Sequence, residues 1–137
     1  VDQTAEELKK SLCSALAITP DIKADVKGRD IVTGLPKTIN IGTNELVKAI
    51  DQELKQMVRA IKDVLQQIPP ELASDIIDHG IVMSGGTSQL KNLDNLIAEQ
   101  TGVSVRVAEG PLYCVVNGTG VLLAHLGDYQ RSILAKK

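Results

Sequence analysis

Two adjacent glycines, Gly85 and Gly86, stand where the short β-branched run IVMS at 81–84 gives way to the polar run TSQ. Removing Cβ at two successive positions lets a flat group, such as a nucleotide base or a ribose, rest directly on the peptide planes. Ligands of open α/β sheets gather beyond the carboxyl ends of the strands, and the pair falls at such an end. The helix expected next would add free N–H groups and a partial positive charge. A turn between strand and helix also uses glycine, so the pair by itself fits both a turn and a ligand. It matches neither G-x-G-x-x-G nor the P-loop ending. A second glycine pair, in NGTGVLL at 117–123, suits close packing of a helix.

On the first predicted helix, Glu6, Lys9, Lys10 and Cys13 fall at i, i+3, i+4 and i+7, which puts them on one face. Such a face is commonly a solvated charged stripe. His79 precedes Gly80 in what reads as a last helical turn, where a cation suits the dipole. Asp75 and Asp78 read as a solvated edge, and Arg29-Asp30 as the fastening of a turn. Cys13 and Cys114 are far apart and in no C-x-x-C pair, which argues against zinc or a disulfide framework and for free thiols. No catalytic residue and no metal ligand is assigned.

The elements that position these residues follow from spacing. Thr4 and Glu7 form a capping box for a helix over about 3–17, with Ala5, Leu8, Leu12 and Ala15 as its apolar stripe. Three short segments punctuated by Gly28, Gly34-Leu35-Pro36 and Gly42 read as a meander of about three antiparallel strands. Thr43 or Asn44 caps the longest helix, which runs to Pro69-Pro70. PELASDIIDHG is a short helix closing at Gly80. IVMSG and VSVRVA are strands of a parallel unit around a helix that carries Leu90, Leu93, Leu96 and Ile97. One or two helices finish the chain, from 111 to about 134. The fold class is therefore α/β: a small α+β piece joined to half of an α/β layer.

The totals bound the function. The chain has 137 residues, 43% hydrophobic and 23% charged, a globular balance. It contains no Phe or Trp and two Tyr, so it lacks the aromatic platforms that stack on single-stranded nucleic acid. Its net charge of −2 gives no broad attraction to nucleic acid or anionic membrane. No run of about 18–20 apolar residues suited to crossing a bilayer is present. The start lacks Met and goes straight into a capped helix, which is the expectation for a piece cut from a longer protein.

The stretches GRDIVTGLPKTINI, IPPELASDIIDHGIVMSGG and VAEGPLYCVVNGTGVLL, in this order and spacing, resemble the MreB-type bacterial actins. The resemblance runs from TAEELKKSL to GTGVLL. Gly-Arg-Asp-x-x-x-Gly-Leu-Pro is specific to that family, whereas the Gly-Gly element is shared with actins, chaperone ATPases and sugar kinases. The resemblance implies the second half of an actin-like ATPase fold. Residues 18–68 would form the small outer subdomain, and 1–17 with 69–137 would belong to the larger inner, nucleotide-binding subdomain. It further implies ATP or ADP as ligand, with Mg²⁺ in the full-length parent. Self-assembly into filaments and contact with membrane-associated cell-wall synthesis proteins are implied too, at the inner, cytoplasmic face of the bacterial membrane, setting cell shape. Membrane attachment would come through parts absent from this sequence.

By the same resemblance Glu6 would bind the ribose hydroxyls, Lys9 or Lys10 would flank the adenine, and Gly85 and Gly86 would receive the base. Thr87 stands where the family usually has a third glycine, and Ser84 where it often has Thr. Thr87 is expected to cap the following helix. Nothing resembles the two Asp-Gly phosphate-gripping hairpins, so this chain alone is not expected to hydrolyse ATP at a useful rate. The other readings are a stand-alone interaction module on an actin-like half-fold, and another ATPase or kinase of the superfamily.

Overall fold

The computed structural model describes residues 2–127, with side chains from residue 3. The first helix, α1, spans Asp2–Ser11 and stops well short of residue 17. The Ser11 hydroxyl donates back to Glu7 O at 2.7 Å, and the N–H groups of Leu12 and Cys13 both reach Leu8 O. The chain then leaves the helical path to make a competing long-range pairing. Ser14 forms a parallel bridge with Lys91, and Ala15 N–H donates to Lys91 O at 2.8 Å. Leu12, Cys13, Ser14 and Ala15 are all buried by this turn.

Next comes one hairpin rather than a three-stranded meander. Strands β1 (Lys23–Arg29) and β2 (Pro36–Gly42) pair antiparallel with Lys23 opposite Gly42 and Arg29 opposite Pro36. The β-branched segment at 31–33 is the tip of the hairpin and not a third strand. Asp30 Oδ1 accepts the N–H groups of Val32 and Thr33 at 2.9 and 3.0 Å, a local carboxylate turn that outcompetes strand pairing. Gly28 lies inside β1 and marks no turn.

Helix α2, Thr43–Gln67, is the long element its periodicity predicts, but neither Thr43 nor Asn44 caps it. Its free Asn44 N–H donates to Asp21 Oδ1 at 3.0 Å, so the cap comes from twenty-three positions upstream. Asn44 clamps the approaching loop instead, accepting from Ile18 N and donating to Ile18 O. Thr43 is fully buried; its hydroxyl donates to Leu12 O at 2.9 Å and lies 3.3 Å from Ile22 O. It therefore ties the end of α1 to the root of the hairpin. Thr43→Val, of the same shape, leaves these carbonyls without that donor and is expected to cost about 1–3 kcal/mol. Denaturant unfolding measures it, and Thr43→Ser should recover most of the loss.

Helix α3 (Pro70–His79) closes at Gly80, whose N–H donates to Ile76 O at 2.8 Å. Strand β3 (Ile81–Met83) then pairs parallel with β4 (Val105–Val107). Between them the single expected helix is broken in two: a 3-10 turn at Thr87–Gln89, then α4 at Leu93–Thr101. The break is Asn92, in the left-handed conformation at φ 60°, which a short polar side chain tolerates. Its Nδ2 donates to Ser14 Oγ at 3.0 Å, so the kink serves the Ser14–Lys91 bridge. Helix α5 spans Cys114–Ala124, and the expected continuation to about residue 134 lies partly outside the described residues. The buried centre is Ala15, Leu54, Leu93 and Ile97, with Ile50, Met57, Ile61 and Met83 packed around it. The periodic apolar faces of α2 and α4 thus meet on the post-helical turn of α1.

Candidate functional site

The glycine pair sits just past the carboxyl end of β3, as its sequence position predicts. Gly85 has φ +86°, a left-handed backbone that side chains resist, and its N–H donates to Pro111 O at 2.8 Å. Where its Cβ would lie, no atom stands within 4 Å, so the face of this peptide is open. Gly86 differs: φ −63° and ψ −41° suit any residue, and an added Cβ would meet only Leu112 Cδ2 at an ordinary 3.5 Å. Backbone conformation explains Gly85, and nothing in the described structure requires glycine at Gly86.

The turn is fastened by Ser88, whose hydroxyl donates to Gly85 O at 2.7 Å. Thr87 does not supply the expected cap, because the 3-10 turn has no side-chain cap hydrogen bond. A three-residue 3-10 turn also lacks the dipole that a full helix here was expected to offer. Gly85→Ala is expected to destabilise the chain by about 1–2 kcal/mol through the left-handed backbone alone. Gly86→Ala should lie within about 0.5 kcal/mol of the parent. Comparing the two variants by thermal unfolding separates the glycine that the backbone needs from the one that it does not.

The second cluster stands on α1. Lys9 Nζ lies 2.5 Å from Glu6 Oε2, and Lys10 Nζ lies 3.4 Å from Oε1. The Lys9 hydrogen bond holds the Glu6 carboxyl below the ordinary carboxylate range against an opposing desolvation, with the Lys9 charge and Lys10 adding to the lowering. Lys9 and Lys10 are largely exposed and Glu6 is about half exposed, so these pairs are screened and exchangeable. An incoming hydroxyl could therefore displace an ammonium from one carboxylate oxygen at little expense. Cys13 does not share this face. It falls beyond the helix end and is 3% exposed, and burial pushes its thiol up from the usual value.

Among the described residues no direct hydrogen bond joins the glycine turn to the Glu6 cluster. Their elements are rooted on a common junction instead. Lys91 bridges Ser14 through the backbone, while its Nζ donates to Ser11 O, a last-turn carbonyl of α1, at 2.8 Å. Lys91 and Asn92 are the positioning residues that sequence reading missed. The one available signal was an Asn immediately before the apolar run of α4.

A cavity lies elsewhere. A groove of about 500 Å³ runs between α2 and α4, with Leu54, Val58 and Leu96 in its floor and Lys55, Arg59 and Gln100 on its rim. None of Glu6, Lys9, Lys10, Gly85 or Gly86 lines it. Among the described residues no three His, Cys, Asp or Glu gather as a metal site, and no helix is long and apolar enough to cross a membrane.

A hairpin rooted on a long helix, followed by a parallel strand pair with a glycine turn at its carboxyl end, is part of an actin-like fold. The chain matches crystal structures of Spiroplasma citri MreB5 bound to ADP and to AMPPNP, each with TM-score 0.85, 29% identity and 96% of this chain covered. A family model described as MreB/Mbl protein matches residues 1–131. The chain is 40% identical over 125 residues to cell shape-determining protein Mbl of Bacillus subtilis, and 41% identical over 131 to MreB of Escherichia coli K12. Those matches cover 91% and 93% of this chain but 38% of each relative's length. The chain belongs to the MreB/Mbl family.

Proposed function

We propose that this chain carries the base-side half of the nucleotide site in a filament-forming, cell shape-determining protein. The observation that carries the reading is the open, positive-φ Gly85 turn at the end of β3, in a fold matching MreB5 bound to ADP and to AMPPNP. In this reading the adenine lies against Gly85 and Gly86, with Lys9 or Lys10 at its edge. Glu6 accepts from the ribose hydroxyls, exchanging an ammonium partner for them. The bound nucleotide brings the phosphoanhydride, and this chain's part is to hold and orient the base and ribose. The groups that hold phosphate and Mg²⁺ come from the rest of the parent, so the chain alone binds and does not hydrolyse.

In this reading residues 18–68 form the outer subdomain, with 1–17 and 69–137 in the inner one. The full-length protein assembles with copies of itself beneath the bacterial membrane and organises cell-wall synthesis proteins there. Sedimentation of the full-length protein with and without ATP–Mg²⁺ tests the reading. ATP-dependent pelleting above a critical concentration is expected. Identical pelleting with and without nucleotide would sink it.

A further inference from the structure

We propose that the Lys91 side chain is the positioning group for the ribose side of the nucleotide site: by holding the end of α1 it sets where Glu6 stands relative to the glycine turn. This rests on the nucleotide-site reading above and names the residue that makes one site of two separate elements.

Helix α1 has little else to hold it. None of its side chains from residue 3 to residue 11 is buried, and only Glu6 and Leu8 are half-buried. The Gln3–Glu7 and Ser11–Glu7 hydrogen bonds and the pairs of Glu6 with Lys9 and Lys10 all lie within the helix, so they fasten it to nothing. Among the described residues, one side chain from elsewhere bonds to the helix itself: Lys91 Nζ, which donates to Ser11 O at 2.8 Å. That carbonyl is among the last four, which no N–H of the helix satisfies, and it stands at the negative end of the dipole. An ammonium suits it on both counts. Lys91 forms no ion pair among the described residues, so its charge is committed to the helix end.

The neighbouring contacts locate the foot of α1 without reaching the helix. The Ser14–Lys91 bridge and the bond from Ala15 N–H to Lys91 O lie beyond the last helical residue. So does the bond from the Thr43 hydroxyl to Leu12 O. The Lys91 ammonium reaches past these to Ser11 and sets the angle of the helix. Leu90 N–H closes the 3-10 turn on Thr87 O, so Lys91 follows that turn directly. One residue is thus continuous with the glycine turn through its backbone and bonded to the Glu6 helix through its side chain.

The lever is long enough to matter. Glu6 lies five residues before Ser11, about 7.5 Å along the axis. A swing of about 10° about the foot would move it by about 1.3 Å. The usable spread of hydrogen-bond distances is only about 0.5 Å. A loosened α1 therefore loses the ribose hydroxyls, while the Gly85 face, on the other element, still receives the base.

The test compares Lys91→Met, which removes the donor and keeps the apolar stem, with Lys91→Arg, which keeps a donor and the charge. Lys91 is exposed, so both variants of the 137-residue chain should fold, and dispersed amide spectra verify it. Without nucleotide, residual dipolar couplings of the Glu6–Lys10 amides should change in Lys91→Met while those of Ile81–Met83 hold. In Lys91→Arg they should return to the parent's values. With nucleotide, the parent should prefer ADP over its 2′,3′-dideoxy analogue by about tenfold or more, since the hydroxyls bond to a charged carboxylate. In Lys91→Met that ratio should fall close to one through weaker ADP binding alone, and Lys91→Arg should restore it. A residue that only supports the fold would weaken both ligands equally and leave the ratio standing. Couplings unchanged in Lys91→Met, or a ribose preference that survives it, would overturn the proposal. A parent that binds ADP and its analogue equally would overturn it too, and would spare the base half of the site. A parent that binds neither would remove the nucleotide-site reading and the ribose role with it, while the couplings still decide whether Lys91 orients α1.

Discussion

Gly80→Ala is expected to cost about 2–6 kcal/mol and to disorder the glycine turn five residues away. Gly80 sits at φ 76° and ψ −173°, a region that is essentially restricted to glycine and costs about 1–3 kcal/mol for other residues. The space is taken as well. An added Cβ would lie 2.6 Å from the backbone oxygen of Ser104 and run into the Ser104 hydroxyl. Backbone cannot swing aside as a flexible side chain can, so overpacking adds about 1–3 kcal/mol more. The damage lands where the site is built, because Ile81 N–H donates to Ser104 O at 2.8 Å and opens the β3–β4 pairing. Chemical denaturation gives the magnitude. Amide exchange at Ile81–Met83 shows the location, where protection should fall more than in α2.

Leu93→Ala is the second large effect, expected at about 2–5 kcal/mol. Leu93 is 2% exposed in the cluster with Ala15, Leu54 and Ile97. It opens α4 directly after left-handed Asn92, so the surrounding backbone is pinned by the Ser14–Lys91 bridge and cannot collapse into the gap. That places the loss towards the upper end of the range. Leu93→Met, close in volume, should cost less than about 1.5 kcal/mol. The pair of variants separates a cavity effect from a general intolerance of change at this position.

These two residues mark what sequence can and cannot show. The length of α2, the close of α3 at Gly80 and both parallel strands were legible because each is a local pattern: a period of 3.6, a C-terminal glycine, a short β-branched run. The early end of α1 was not legible, because its cause is a bridge from Ser14 to a residue 77 positions away. The missing third strand had a local cause that β-branched composition concealed, since Asp30 bends the segment at 31–33 into a turn. The cap of α2 failed for the first reason: Asp21 is remote in sequence and only folding brings it to Asn44.

The candidate site divides the same way. Glu6, Lys9 and Lys10 share a helix, so helical spacing alone places them together, and the structure joins them as two ion pairs. Cys13 was extrapolated along the same face beyond the point where the helix stops. Gly85 and Gly86 look equivalent as letters, yet a positive φ at one and an ordinary φ at the other make them different positions. That difference is a backbone property with no signature in composition. The Lys91–Asn92 junction that roots both clusters carries neither a motif nor a charge pattern, which is why only the fold reveals it.

In the proposed reading the base-side half of a nucleotide site is preformed in this chain. An NMR titration with ADP and with ATP–Mg²⁺, following the amides of Glu6, Lys9, Gly85 and Gly86, tests it most directly. Saturable shifts confined to these two elements, similar for both nucleotides and absent with pyrophosphate, are expected. A folded chain whose Gly85 and Glu6 amides stay unmoved at millimolar nucleotide would contradict it, and would leave Gly85 as a residue of the turn alone.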